Sequence, residues 1–225
     1  MELQAILDRL EGLYGQIGSP APQDPYELVL FLNCGYPASD ENCSRGFASL
    51  KAEVGLHPAA ILAADQAELA RIMRPGGIVP EVRAARLEQI AAFVREQLGG
   101  DLEGALRRDP ARARRLLMKF PTLGEPAAER ILLFSGLEPA AAPPAGGLQV
   151  LTRLGLCEEG KNFAATYRGA RAAIETAVPA DFAARRRAYL LLKTHGHRLC
   201  RRSAPRCEEC PLAGSCPYAL ERPAA

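Results

Sequence analysis

The cysteine spacing near the end of the chain constrains the fold more than any other feature of the sequence. Seven cysteines are present, and four of them follow the spacing C-x6-C-x2-C-x5-C over residues 200 to 216. Four thiolates can hold a tetrahedral zinc ion or an iron–sulfur cluster. Structural zinc sites usually offer two C-x2-C pairs, whereas this segment has only one, so we favour a cluster over a single ion. The predicted ligands are Cys200, Cys207, Cys210 and Cys216.

The composition predicts an all-α chain. Apolar residues make up 48% of the sequence, and Ala and Leu, both strong helix formers, dominate them. The 18 prolines and 20 glycines indicate many short helices with defined ends. No alternating pattern typical of strands is present. We predict helices at 1–19, from Pro25 onward, and at 43–55, 58–64, 66–74, 81–98, 101–108, 110–119, 125–135, 147–154, 164–177 and 181–199.

Neither a membrane span nor an export signal is expected from the sequence. No apolar run approaches the roughly 20 residues that cross a bilayer. The first segment, MELQAILDRLEGLYGQ, carries acidic residues, which is not typical of a signal peptide. We therefore expect a cytoplasmic protein, where a cysteine cluster more often binds metal than forms disulfides.

Positive charge is concentrated in parts of the chain. Residues 181–206 contain eight basic side chains and one acidic one, and a second basic stretch, RRDPARARRLLMK, covers 107–119. Segregated charge of this kind suits a polyanionic partner. A solvated helix face is the alternative explanation for each stretch.

The cysteine spacing resembles the cubane-cluster loop of endonuclease III and its adenine-glycosylase relatives. The preceding segment, LLLKTHGHRLC at 190–200, is similar to the last helix of that family. The resemblance implies a two-lobed, all-α helix–hairpin–helix DNA glycosylase fold with a [4Fe–4S] cluster. It implies one lobe at 24–136 and a second lobe formed by 1–23 together with 137–225. It also implies a monomer that binds double-stranded DNA, damaged or distorted, with a nucleoid-associated location of bacterial type.

The resemblance also assigns the residues that would contact DNA. In the family, the loop between the first two cysteines touches phosphate, and Arg201, Arg202 and Arg206 occupy that loop here. The stretch KFPTLGEPAAERILLFSG, residues 119 to 136, resembles the hairpin that grips the backbone. Its turn residues are Thr122, Leu123 and Gly124. Thr122 replaces the first turn glycine of the family, and we expect Gly124 to adopt a positive φ.

Both catalytic side chains of the family are missing. The lysine that attacks the sugar in lyase-capable members corresponds to Pro126. When PAGGLQVLTRLG at 144–155 is aligned with D-T-H-V-x-R-V-x-x-R, Pro144 falls on the aspartate, Gly146 on the histidine and Gln149 on the first arginine. No acidic residue lies between Pro139 and Cys157, so a small shift of the alignment restores no carboxylate.

The loop that fills the gap left by a flipped base in relatives also differs. NCGYPASD stands in its place and lacks the usual glutamine, so Tyr36 is a candidate to stack there, and a surface tyrosine that caps the turn is the alternative. The remaining cysteines are expected to be buried small apolar side chains. For the two histidines of the last helix we expect a structural or phosphate-facing role, with a fifth metal ligand or a catalytic base as the alternative. These residues are Cys34, Cys43, Cys157, His195 and His197.

These features support three functional hypotheses. The first is an endonuclease III-like iron–sulfur protein of DNA repair type that binds DNA without the standard glycosylase or lyase activity. The second is a glycosylase for an unusual lesion with relocated catalysis, for which the candidates are Glu125, Glu129, Asp40 and Tyr36. The third is a cluster protein whose partner is another protein or RNA.

Overall fold

The computed structural model describes residues 2–221. The described residues form helices joined by short loops, with no strand among them and one isolated β-bridge between Tyr36 and Gly77. The predicted all-α class is therefore confirmed. No helix in this part of the chain combines the length and the hydropathy needed to cross a membrane.

Backbone contacts divide the chain into two compact units: Ser19–Leu137, and Met1–Gly18 with Glu138–Ala225. We call them the hairpin unit and the cysteine unit. The helices of the hairpin unit are α2 Pro25–Asn33, α3 Asp40–Glu53, α4 Pro58–Ala63, α5 Gln66–Met73, α6 Pro80–Leu98, α7 Leu102–Arg108, α8 Pro110–Leu117 and α9 Glu125–Phe134. Those of the cysteine unit are α1 Leu3–Tyr14, α10 Ala145–Arg153, α11 Phe163–Ala177, α12 Phe182–Arg198 and α13 Pro217–Leu220.

Side-chain caps explain where many of these helices begin. A side-chain oxygen that accepts a hydrogen bond from a backbone N–H of the first turn satisfies a donor that the helix itself leaves unpaired. Ser39 accepts from the N–H of Asn42, which sets the start of α3 inside the sequence SDEN. The other side chains that cap in this way include Asp24, Asp65, Asp101, Asp109, Asn162 and Asp181.

The first helix is shorter than predicted. The pattern indicated a helix over 1–19, but α1 ends at Tyr14 because Gly15 adopts φ 68° and leaves the helical path. The apolar spacing within α1 is nevertheless as expected. Leu3, Ile6, Leu7 and Leu10 form one buried stripe that packs into the core of the cysteine unit with residues of α10, α11 and α12.

A close approach of two backbones joins α10 to α12. A Cβ on Gly196 would lie 1.7 Å from the carbonyl oxygen of Gly146, far inside any real contact distance. Glycine at position 196 is therefore required for the helices to cross at this separation. On the far side of α12, Arg187 donates to Asp8 at 2.8 Å and Glu11 at 2.9 Å and so joins this helix to α1.

A buried arginine organises the loop between α2 and α3. Arg83 of α6 has no solvent exposure, and its guanidinium donates to the carbonyl oxygens of Cys34 at 2.6 Å, Gly77 at 2.7 Å and Ile78 at 3.2 Å. The loop is also hydrogen-bonded through its backbone to the segment that precedes α6, because the N–H of Tyr36 donates to the carbonyl of Gly76 at 2.9 Å. Tyr36 is thus held by its main chain while its side chain stays 46% exposed.

Candidate nucleic-acid interface and cysteine loop

The predicted hairpin lies between α8 and α9, and its turn differs from the sequence expectation. Thr122 has φ +64°, whereas Gly124 has φ −92° and ψ −175°. The prediction of a positive φ at Gly124 is therefore wrong, because the left-handed residue of this turn is the threonine. For a β-branched residue this conformation costs on the order of 1–2 kcal/mol.

A hydrogen bond to a buried asparagine offsets the strain at Thr122. Its hydroxyl Oγ1 donates to Oδ1 of Asn33 at 3.0 Å. Asn33 is 2% exposed, and its Nδ2 donates to the carbonyl of Val29 at 3.0 Å. The hydroxyl thereby satisfies the buried amide oxygen at the end of α2 and fixes the turn in place.

Two residues of the turn face solvent. Thr122 and Gly124 are exposed, whereas Leu123 is buried. Within residues 2–221, a Cβ on Gly124 would meet only Cδ of Pro126, at 3.8 Å, so no described contact demands glycine there. Gly124 precedes the first turn of α9, where backbone N–H groups favour anions, although Glu125 places a carboxylate in that same turn.

The two proline positions singled out by the sequence lie at helix starts. Pro126 is within the first turn of α9, and Pro144 is the residue immediately before α10. Both places suit a proline because its missing N–H is not needed there. Neither side chain offers an amine or a carboxylate for bond cleavage.

Two of the carboxylates considered as alternative catalytic groups lie in the hairpin unit, and each lies close to an arginine. Oδ1 of Asp40 accepts from Nη2 of Arg130 at 3.1 Å. Glu129 is fully buried in α9, and Nε of Arg114 lies 3.7 Å from its Oε1. Each of these two carboxylates is thus directed toward an arginine.

The four cysteines of the C-terminal loop surround one pocket. It is small, with a cavity volume of about 20 Å³, and its walls include Cys200, Cys207, Cys210 and Cys216. Among residues 2–221, no three His, Cys, Asp or Glu side chains converge tightly enough to be ligands of a single metal ion. The structure therefore brings the four predicted ligands to the wall of one pocket.

Burial governs protonation around this pocket. Desolvation raises the pKa of the Cys200 and Cys210 thiols, and it raises the pKa of Tyr14 to about 12. His195 is 1% exposed, and burial lowers its pKa to about 4, so the imidazole is neutral at pH 7. The Tyr14 hydroxyl lies 3.0 Å from Nδ1 of His195, and Nε2 lies 3.6 Å from the sulfur of Cys210. The predicted structural role suits His195, whereas His197 is exposed at the surface.

Two side chains of α10 hold the cysteine loop. Nη1 of Arg153 donates to the sulfur of Cys200 at 3.3 Å and to the carbonyl of Arg201 at 2.8 Å, while Nη2 donates to the carbonyl of Arg202 at 3.1 Å. Gln149 donates to the carbonyl of Cys200 at 2.7 Å. Sequence reasoning did not single out Arg153, although the second arginine of the aligned pattern falls on that position.

The three loop arginines are all exposed but differ in their partners. Arg206 makes two hydrogen bonds of 2.6 Å to the carboxylate of Glu209, which offsets its charge. Arg201 and Arg202 form no ion pair within residues 2–221, and Arg153 engages their backbone carbonyls. The sequence grouped the three together, but the structure separates Arg206 from the other two.

The chain is similar in sequence to one curated protein of DNA repair. No family model matches the chain. A curated protein of Methanocaldococcus jannaschii, named "Putative DNA repair glycosylase", is 27% identical over 192 residues, which cover 85% of this chain and 84% of that protein. The fold is that of the helix–hairpin–helix DNA glycosylases.

Solved structures of DNA glycosylases superpose on nearly the whole chain. A trapped endonuclease III–DNA covalent intermediate superposes with TM-score 0.78 at 19% identity, over 98% of this chain and 96% of the other. A thermostable thymine-DNA glycosylase gives 0.76 at 19% identity, over 97% and 95%. The resemblance to endonuclease III is therefore confirmed at the level of the fold.

We expect Thr122→Val to destabilise the protein by about 1–3 kcal/mol, because the buried Oδ1 of Asn33 loses its donor while the side chain keeps its shape. Denaturant unfolding monitored by circular dichroism measures the change. Thr122→Ser is the matched control, since it keeps the hydroxyl, and should stay within about 0.5 kcal/mol of wild type. Equal stability of the Val variant and wild type would show that this hydrogen bond does not hold the turn.

Proposed function

We propose that this protein is an endonuclease III-like, iron–sulfur DNA-binding protein of DNA repair type that lacks the standard glycosylase and lyase activities. The observation that carries the proposal is the pair of prolines, Pro126 and Pro144, at the two positions where the family carries its catalytic groups. We also propose that the functional lobes are 24–136 and 1–23 with 137–225. The partner is double-stranded DNA, damaged or distorted, bound by a monomer.

Two surfaces are proposed to bind phosphate. The first is the hairpin turn, where Gly124 is exposed and no contact among the described residues demands glycine. The absence of a side chain there would let a DNA backbone approach the N–H groups of the α9 start. The second is the loop between Cys200 and Cys207, where Arg201 and Arg202 offer charges that no ion pair within residues 2–221 offsets. Guanidinium groups are well suited to phosphate oxygens.

The [4Fe–4S] cluster would be held by Cys200, Cys207, Cys210 and Cys216, whose residues line a common pocket. Once bound, the cluster would fix the conformation of the loop through its bonds to the four sulfur atoms. Binding requires the cysteines to be thiolates. The guanidinium of Arg153 beside Cys200 favours the thiolate form, which opposes the effect of burial on that thiol. The same guanidinium positions the loop carbonyls of Arg201 and Arg202, which ties the cluster loop to the proposed phosphate contacts.

A glycosylase with relocated catalysis is the alternative, and the geometry favours it less. Asp40 is held by Arg130, and Glu129 is enclosed in the bundle. Glu125 lies in the first turn of α9, beside the proposed phosphate contact. Tyr36 is exposed on a loop that Arg83 holds by a hydrogen bond to the carbonyl of Cys34. An exposed aromatic ring of this kind suits stacking against bases more than bond cleavage.

We expect anaerobically purified protein to be brown and to contain about four iron and four sulfide per chain. Iron analysis and visible absorption measure this. Cys207→Ala should lose the cluster, whereas Cys157→Ala, outside the loop, should keep it. Stoichiometric zinc with no visible absorption would contradict the proposed cofactor.

We expect duplex DNA affinity to fall steeply as salt rises, because binding to phosphate releases condensed counterions. Arg201→Ala should make the log–log salt slope shallower by about one, and Gly124→Ala should weaken binding about tenfold by blocking close approach. Fluorescence anisotropy with a labelled duplex at several salt concentrations measures both effects. Lys161→Ala, an exposed lysine elsewhere in the cysteine unit, is the control and should leave the slope unchanged. Tight binding that is indifferent to salt would overturn the proposal.

A further inference from the structure

The second basic stretch of the sequence, residues 107–119, has no assigned role in the proposed function. The structure divides its charges into two groups. Arg107 donates to Glu103 at 2.6 Å within α7, and Arg114 points toward buried Glu129. The other basic residues of α8 and of the turn that follows it are exposed, and we call them the α8 ridge: Arg112, Arg115 and Lys119.

The ridge follows from the periodicity of α8. Ala113 and Leu117 are buried and fix the inner face of the helix. Residues 112 and 115 are three positions apart, so they lie on one outer stripe of the helix with roughly 5–6 Å between their Cβ atoms. The helix ends at Leu117, and Lys119 follows in a turn in which its N–H donates to the carbonyl of Leu116 at 3.1 Å. The ridge therefore presents three cations in a row.

The charges of the ridge are available to a partner. Within residues 2–221, Arg115 and Lys119 form no ion pair. Arg112 contacts Asp109 at 3.4 Å, but with 78% and 47% of the two side chains exposed this pair is weak and easily exchanged. Asp109 also has a structural use, since it caps the start of α8. A row of solvated, uncompensated cations is stabilised by a polyanion.

The position of the ridge in the chain identifies the polyanion. Lys119 immediately precedes the hairpin turn, so the ridge runs without interruption into the Thr122–Gly124 segment. We propose that the α8 ridge is a further phosphate-binding surface, which extends the grip of the hairpin along the backbone of duplex DNA. This inference rests on the proposed function, because it takes the hairpin to be a DNA contact.

The arrangement of the ridge suits a phosphate backbone. Arg115 lies in α8 and Lys119 in the turn directly after it, so we expect each to reach a different phosphate of the same strand. Contacts of this kind carry no base information and add affinity that depends on salt. The expected signature is therefore a change in the salt slope for any duplex sequence, without a change in preference among lesions.

The test compares two double variants that remove the same charge from the same unit. Arg115→Gln with Lys119→Gln removes two ridge cations, and Lys51→Gln with Arg95→Gln removes two exposed cations from α3 and α6. Binding of the holo protein to an undamaged duplex is measured by anisotropy over a range of salt concentrations. The ridge variant should have a log–log slope shallower by about two, at roughly 0.9 per phosphate contact, and the control pair should keep the wild-type slope. Unchanged melting temperatures confirm that both variants are folded.

The outcomes separate this inference from the proposal on which it rests. If wild type binds duplex DNA and Arg201→Ala changes the slope while the ridge variant behaves like the control pair, the ridge does not contact DNA and only this inference fails. An acidic protein partner would then be the better explanation of the ridge. Equal loss of slope in the ridge and control variants would indicate a general charge effect and would also overturn the inference. A wild-type protein without salt-dependent duplex binding would refute the proposed function itself.

Discussion

The crossing of α10 and α12 at Gly146 and Gly196 sets the geometry of the whole cysteine unit. Because position 196 has no Cβ, the backbone of α12 can lie against the carbonyl of Gly146. This closeness brings Gln149 within hydrogen-bonding distance of the carbonyl of Cys200, where α12 gives way to the cysteine loop. It also places Arg153 beside Cys200, from which it reaches the next two carbonyls. A bulkier residue at the crossing would separate the helices and remove both sets of contacts.

The hairpin unit depends on a different kind of interaction. Side chains from distant parts of the sequence donate hydrogen bonds to buried oxygen atoms. Thr122 supplies the donor that Asn33 needs, 89 residues away. Arg83 supplies three hydrogen bonds to carbonyls around the Tyr36 loop from a position with no solvent exposure. In both cases an exposed element proposed to meet DNA is made rigid by a buried polar contact. Rigidity of this kind lowers the entropic cost of binding.

The sequence predicted the helices well, because their signals are local. Ser39 before an acidic pair, and the apolar spacing of α1, indicate elements without reference to the rest of the chain. The backbone conformation of the hairpin turn could not be predicted in the same way. A glycine suggested a positive φ at Gly124, but the conformation of Thr122 is set by Asn33, and no local pattern reveals that contact. The sequence also does not show which loop arginines are paired. Arg201 and Arg206 lie in the same loop, but only the structure shows that Arg206 is hydrogen-bonded to Glu209.

We propose that the protein holds DNA in the manner of endonuclease III without cleaving the glycosidic bond. The most direct measurement is single-turnover excision, with protein in excess over duplexes that carry oxidised pyrimidines, uracil, 8-oxoguanine opposite adenine, or an abasic site. Borohydride is added in parallel to trap any Schiff base. The account predicts no excision and no trapped adduct, because Pro126 offers no primary amine and Pro144 no carboxylate. Excision of any of these bases at ordinary enzyme rates, on the order of 1 per second or faster, would contradict it and would direct attention to Glu125 and Asp40.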